Sequence, residues 1–413
     1  MTVRPLSLDT PITGYESQAE ALYNVLIAGD EEAVAFVRQH HPELRIMPET
    51  EFMSSTISLE HARLALARGY HFEGWPHLAH WVKLVTDRDT DVYKFERAVD
   101  DLVDGNIEGL RIWLRQFPQL IKFRSTRVHH SMLIHYIGAN GVEDYRQRSP
   151  ANAVEILHLL LESGSELEPM ADMYGGSTPF GLVATSIWPA KAKVLIPLLE
   201  AFLKAGVMID HPDSAGNHQN VIIGCLHNGR PEAASYLKDH GAKLDLEGAA
   251  GVGNLEFVKS FFDKDGNLSN GATRKQMEYG YIWACEYGHR DVVEFLLDNG
   301  IPINILVEDL SGMHWGIVGG HLDITKLFIE KGVDLEDQNG YGGTALGCAL
   351  WAIVNSDPTY RWPQTEDESV QIIEEILKAG GKIQPGTITW IREQPSLSNE
   401  KKDKVTDLLV KYS

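Results

Sequence analysis

Three sets of side chains in this sequence have the types and spacing to do chemistry. Glu247, Glu286, His129, His130 and His227 are candidate general acids and bases, work that needs a carboxylate and an imidazole within hydrogen-bond reach of each other. Tyr136, Tyr174, Trp283, Trp315, Tyr341 and Trp351, with Arg127 and Asp172, are candidate recognition residues, because aromatics and arginines dominate binding hot spots. Lys122, Arg124, Arg127, Arg146 and Arg148 form a local basic cluster, and a planar guanidinium suits a carboxylate or phosphate. Each set also has a structural reading. Glu247 can be a buried carboxylate tied to N–H groups, as an unpaired one is costly to bury. Trp283 and Trp315 can pack between helices. The Tyr-Gly-Gly runs at Tyr174 and Tyr341 can be turn chemistry, His129 and His130 a fingertip, and the basic cluster a solvated face paired with Glu143 and Asp144.

Other chemistries lack their motifs. The sequence has no His-Glu-x-x-His, Gly-x-x-x-x-Gly-Lys-Ser/Thr or Gly-x-Ser-x-Gly, which leaves zincin, P-loop and α/β-hydrolase activity unsupported. Asp265-Gly266 is followed by Asn267 rather than an EF-hand series, and the 248–253 glycines are wrongly spaced for a dinucleotide loop. The three cysteines, Cys225, Cys285 and Cys348, form no Cys-x-x-Cys pair; they read as buried free thiols in a reducing cytoplasm, and neither metal nor cofactor is expected. The formal net charge is −21 with a pI near 5.2, which excludes a nucleic-acid or acidic-lipid surface as the expected partner. No stretch has the roughly 18 consecutive apolar residues of a membrane span, and the first 14 residues show no secretory signal, so a cytoplasmic location is expected.

The elements that position these residues follow from a repeat. Segments Tyr281–Gly300 and His314–Gly332 are near copies, with turn glycines Gly288 and Gly320 and exit glycines Gly300 and Gly332, each pair 32 residues apart. A fixed period of this size implies stacked helical pairs. Further exits fall at Gly164, Gly206, Gly241 and Gly380, where a chain leaving a helix takes positive φ. One repeat is short: only 24 residues separate Gly229 from Gly253, so the helix at 246–253 begins with no room for a full finger. Insertions at 142–150, 188–192 and 354–367 are expected in loops, either on a ligand face or as drift. At the chain start, Glu16–Arg38 and Phe95–Gln116 read as helical pairs around Gly29-Asp30 and Gly105-Asn106. Ser58 caps a helix running to Arg68, and Gly74-Trp75-Pro76 starts another.

This pattern resembles the ankyrin repeat: finger, inner helix opened by Thr-Pro-Leu-His, Gly-His turn and outer helix. His135 and His314 stand at the motif histidine, and Thr178–Gly181 and Thr344–Gly347 replace it by Gly. The 58–78 segment is similar to one that precedes ankyrin arrays in many bacterial proteins, with His71 at a usual Gly. The resemblance implies an all-α ankyrin-repeat solenoid, with capping residues 1–90, an array over 91–385 and a capping helix within 386–413, its helix proper at Asp403–Tyr412. It implies a binding protein whose concave groove takes a protein segment or peptide. A second reading is an enzyme, a hydrolase or lyase, or a receptor for a small anionic or sugar-like ligand. Its pocket would be a dent at Gly224, Gly248 and Gly251 walled by Trp283, with Glu247 or Glu286 paired with His129, His130 or His227, and the arginines orienting substrate.

Overall fold

The computed structural model describes residues 7–48, 51–52, 55, 57–212, 219–355 and 366–413. Most of the 354–367 insertion lies outside them. The chain divides into two compact units, Met1–Asn220 and Val221–Ser413, rather than at the expected boundaries of 90 and 385.

In Met1–Asn220, helices Ile12–Ile27 and Glu31–His40 pair around Gly29, and Asp91–Val103 and Ile107–Gln116 pair around Gly105; both glycines have positive φ. Between them, Leu59–Gly69 is opened by Ser58, whose hydroxyl accepts from the His61 N–H while the His61 ring accepts from the Ser58 N–H. These helices bury Tyr15, Leu22, Phe36, Leu66, Trp81 and neighbours in one core. His71 has φ 64°, which explains why glycine is usual there; its carbonyl accepts from the Val128 N–H at 2.9 Å.

A buried ion cluster joins the helices before residue 90 to those after it. Arg127, Arg146, Glu96 and Glu143 are all almost completely excluded from solvent. Arg127 binds Glu96 at 2.5 Å and Glu143 at 2.7 Å; Arg146 binds Glu96 at 2.5 Å and Asp100 at 2.7 Å. The Trp81 indole N–H, from the N-terminal helix Trp75–Val85, donates to Glu96 at 3.1 Å. Burial pushes the Glu96 and Glu143 carboxyls up, but the two guanidiniums outweigh it and hold both below the ordinary range. Arg146 comes from the 142–150 insertion, through a single 3-10 turn at Asp144–Arg146. This insertion is therefore a core element and not a surface loop. The preceding inner segment, Leu133–Gly138, is also 3-10. Ala153–Glu162, Pro179–Thr185, Ile187–Lys191 and Leu195–Ala205 complete the unit, the 188–192 insertion lying largely in the short Ile187–Lys191 helix.

In Val221–Ser413 the helices come as inner–outer pairs: Val221–His227 with Pro231–Asp239, Leu246–Gly251 with Leu255–Lys259, Arg274–Glu286 with Arg290–Asp298, Gly312–Gly319 with Leu322–Glu330, and Ala345–Asn355 with Glu366–Lys378. The outer helices bury one stripe; Arg290–Asp298 buries Val292, Val293 and Leu296, each contributing about 1.5–3 kcal/mol. The exits Gly241, Gly300, Gly332 and Gly380 all take positive φ. In the short repeat, Asp245 caps Leu246–Gly251 directly, accepting from the Gly248 N–H at 2.8 Å. The C-terminus is not a lone helix but a further pair, Thr387–Glu393 with Asn399–Lys411, the second packing against Glu366–Lys378. The fold is thus an all-α repeat solenoid by class.

Because breaking a buried ion pair leaves an uncompensated charge, Arg127→Met is expected to destabilise the protein by about 3–5 kcal/mol in denaturant titrations. A loss below about 1 kcal/mol would mean that the cluster is solvated.

Candidate functional site

A cleft of about 960 Å³ in the Val221–Ser413 unit collects Trp315, Tyr341, Trp351 and Trp390. Three structural pieces build it. The first is the finger hairpin: strands β1 (Leu306–Val307) and β2 (Leu310–Ser311) pair antiparallel, with Val307 opposite Leu310. The two residues left to turn, Glu308 and Asp309, have φ 50° and 64°. Such a turn needs two left-handed residues, for which Asn-Gly is the unstrained choice; here two acidic side chains occupy it and project from its tip. The second piece is the next finger. The Asn339 side chain accepts from the Tyr341 and Gly343 N–H groups at 3.0 and 2.9 Å, and the Gly340 N–H donates to the Asp309 carbonyl at 2.8 Å. Tyr341, 80% exposed, is thereby carried on a pinned loop.

The third piece is the inner-helix floor. Trp315 is nearly buried, its indole N–H donating to the Val307 carbonyl at 3.2 Å. Gly347 stands where the motif histidine would be; an added Cβ there would meet only Thr344 Oγ1, at 3.5 Å. The floor is open for that reason. Trp351 is 44% exposed, and Trp390, from Thr387–Glu393, is 40% exposed. Sequence reasoning missed Trp390 and the Glu308-Asp309 tip. An Ile388–Ile391 spacing marks the Trp390 helix, but nothing local says which pair it completes.

The other expected residues are distributed differently. Arg127 is fully buried in the ion cluster and cannot grip a ligand; Arg146 is likewise committed, Arg148 pairs with Asp104, and Arg124 donates to the His130 and Met170 carbonyls. Tyr136 is buried, its hydroxyl donating to Glu143 at 3.3 Å. His129 is buried 3.5 Å from Glu143, while His130 is exposed and paired with Asp172 at 2.7 Å. Tyr174 is half-exposed at φ 53°, its hydroxyl donating to Asn140. His135 behaves as a framework residue: its Nδ1 accepts from the Met132 N–H and its Nε2–H donates to the Pro169 carbonyl, and burial lowers its pKa to about 4.

The glycine dent is filled. A Cβ on Gly251 would meet Leu226 at 2.4 Å and Trp283 at 3.1 Å, so that glycine admits a close helix approach and leaves no cavity. Trp283 is fully buried, its indole N–H donating to Glu247 at 3.0 Å, with His227 edge-on at 4.8 Å between ring centres. His227 Nε2 lies 3.6 Å from Glu308, and Glu286 is buried. Burial raises the Glu247 carboxyl, an effect that the Trp283 hydrogen bond partly opposes.

A family described as "Ankyrin repeats (3 copies)" matches residues 246–339 and 281–357. No curated protein matches the sequence. Among solved structures, the chain is similar to a human ASB11 ankyrin repeat domain at 15% identity, covering 70% of this chain and 99% of that one, with a TM-score of 0.34. That overlap is too low to transfer any residue's role. Residues 246–357 are therefore ankyrin repeats, and the chain carries an ankyrin-repeat segment there. Ankyrin repeats in general mediate binding between proteins. Among the described residues no helix is long and apolar enough to cross a membrane.

Two stability outcomes follow. Asp309→Gly relieves a left-handed non-glycine position and is expected to raise stability by about 0.5–1 kcal/mol; a loss of stability would show that the turn is not strained. The raised Glu247 pKa means that folding favours its protonated form. Its carboxylate therefore costs stability above the folded pKa, and this cost vanishes below the unfolded value. Glu247→Gln, which keeps an acceptor for Trp283, should melt higher than wild type near neutral pH and converge with it in acid. Parallel melting-temperature profiles would contradict the assignment.

Proposed function

We propose that this chain is a binding protein and that the cleft of the Val221–Ser413 unit seats a segment of a partner protein. The observation that carries the reading is the collection of three tryptophans and a tyrosine in one cleft, with Trp351, Trp390 and Tyr341 substantially exposed. Exposing such rings to water is unfavourable, and partly buried aromatic anchors are what protein interfaces use. The pinned Asn339 loop and the hairpin tip hold the walls in place before a partner arrives, which lowers the entropic penalty of binding.

Acid–base chemistry by the Glu247–His227 neighbourhood is less well supported. Glu247 accepts from an indole, His227 faces Glu308, and the fully buried Trp283 stands where substrate would have to lie. His129 and His130 are held by Glu143 and Asp172 within the other unit.

The test is a peptide-display selection against the full chain, followed by affinity measurement on Trp351→Ala and Gly347→Leu. The first removes an anchor. The second fills the floor at a position with open space above it, so the protein stays folded. Loss of binding of about tenfold or more in both variants is expected for a hot-spot cleft. Selected peptides that bind both variants as tightly as wild type would place recognition elsewhere and sink the proposal.

A further inference from the structure

The cleft has a charge pattern that narrows what it takes. Its lining contains two charged residues, Glu308 and Asp309, both acidic, and no Lys, Arg or His. Both are exposed at the hairpin tip, and the Asp309 carboxylate makes no ion pair among the described residues. The remaining lining is mainly aromatic and aliphatic, with the ring systems of Tyr341, Trp351 and Trp390 accessible. Aromatic faces carry negative potential and attract ammonium and guanidinium groups, most strongly when these are partly desolvated. Carboxylates at the rim of the same cleft add attraction of the same sign, and they repel an acidic segment as strongly as they attract a basic one.

Resting on the binding reading above, we infer that the occupant is a cationic segment of a partner protein, with a Lys or Arg beside an apolar residue. The apolar side chain enters over Gly347 against Trp315 and Trp351, and the cation lies between the exposed rings and the Glu308-Asp309 tip. Glu308 also faces His227 at 3.6 Å, so the Asp309 carboxylate is the charge that a neutral or acidic segment leaves without a counter-ion; specificity comes from this rim and affinity from the floor.

The experiment uses the full chain and three labelled peptides of equal length, alternating Leu with Lys, Gln or Glu, read by fluorescence anisotropy at low and moderate salt. The Lys–Leu peptide should bind about tenfold more tightly than the Gln–Leu peptide, a difference that narrows as salt rises, and the Glu–Leu peptide should bind weakest. Combining Glu308→Gln with Asp309→Asn keeps side-chain size at the tip and removes its charge; it should bring the Lys–Leu and Gln–Leu affinities to within about twofold of each other. Asp265→Asn, at an exposed acid away from the cleft lining, should leave the preference unchanged.

Equal binding of Lys–Leu and Gln–Leu peptides, both lost in Trp351→Ala, would overturn the cationic occupant while leaving the cleft as a binding site. A Lys preference that survives the tip variant, or that falls equally with Asp265→Asn, would assign it to the acidic protein as a whole and overturn the inference. If no peptide shows binding that depends on Trp351, the cationic occupant and the binding reading fall together.

Discussion

Stacking in the Val221–Ser413 unit depends on a histidine ring laid against the glycine of the preceding turn. A Cβ on Gly253 would sit 2.5 Å from the His289 ring, and one on Gly288 the same distance from the His321 ring. No other residue leaves that space, and both glycines also need their positive φ. The His289 Nε2–H then donates to the Gly251 carbonyl at 3.1 Å, satisfying an inner-helix end that would otherwise be left open. Burial keeps both rings towards their neutral form. One glycine thus sets the turn, the spacing between repeats and the hydrogen bond that locks it. These two contacts join the short repeat to the next and that one to the repeat opened by the hairpin carrying Glu308 and Asp309.

Spacing along the chain made that ladder legible. The 32-residue interval between Gly288 and Gly320, and the exits at Gly241, Gly300, Gly332 and Gly380, could be placed because positive φ restricts residue choice locally. The same residue type misled where its reason was not local. Gly251 has ordinary helical geometry and is small because Leu226 and Trp283 press against it, so a run that reads as a dent is a close contact. Trp315, Tyr341 and Trp351, singled out in the sequence, line one cleft, but Trp390 belongs to a terminal pair outside the repeat frame.

Arg127 and Arg146 show the other limit. As a sequence cluster they suggest an anion site. Their partner Glu96 lies 31 and 50 residues away, and the pairing withdraws both guanidiniums from solvent. Charge density along a chain says nothing of whether the charges are already neutralised. The same cluster ties the N-terminal helices to the segment after them: Trp81 and Arg127 meet on one carboxylate.

The three cysteines lie in separate inner helices of one unit, Cys225 in Val221–His227, Cys285 in Arg274–Glu286 and Cys348 in Ala345–Asn355, and all are buried. Burial also raises each thiol well above its ordinary pKa, Cys348 to about 12. A thiol in that state reacts with an electrophile only when its own helix opens to water. The native sequence therefore carries built-in reporters of local opening at three points along the stack. Their relative labelling rates would resolve where a repeat array begins to come apart, without a single introduced substitution.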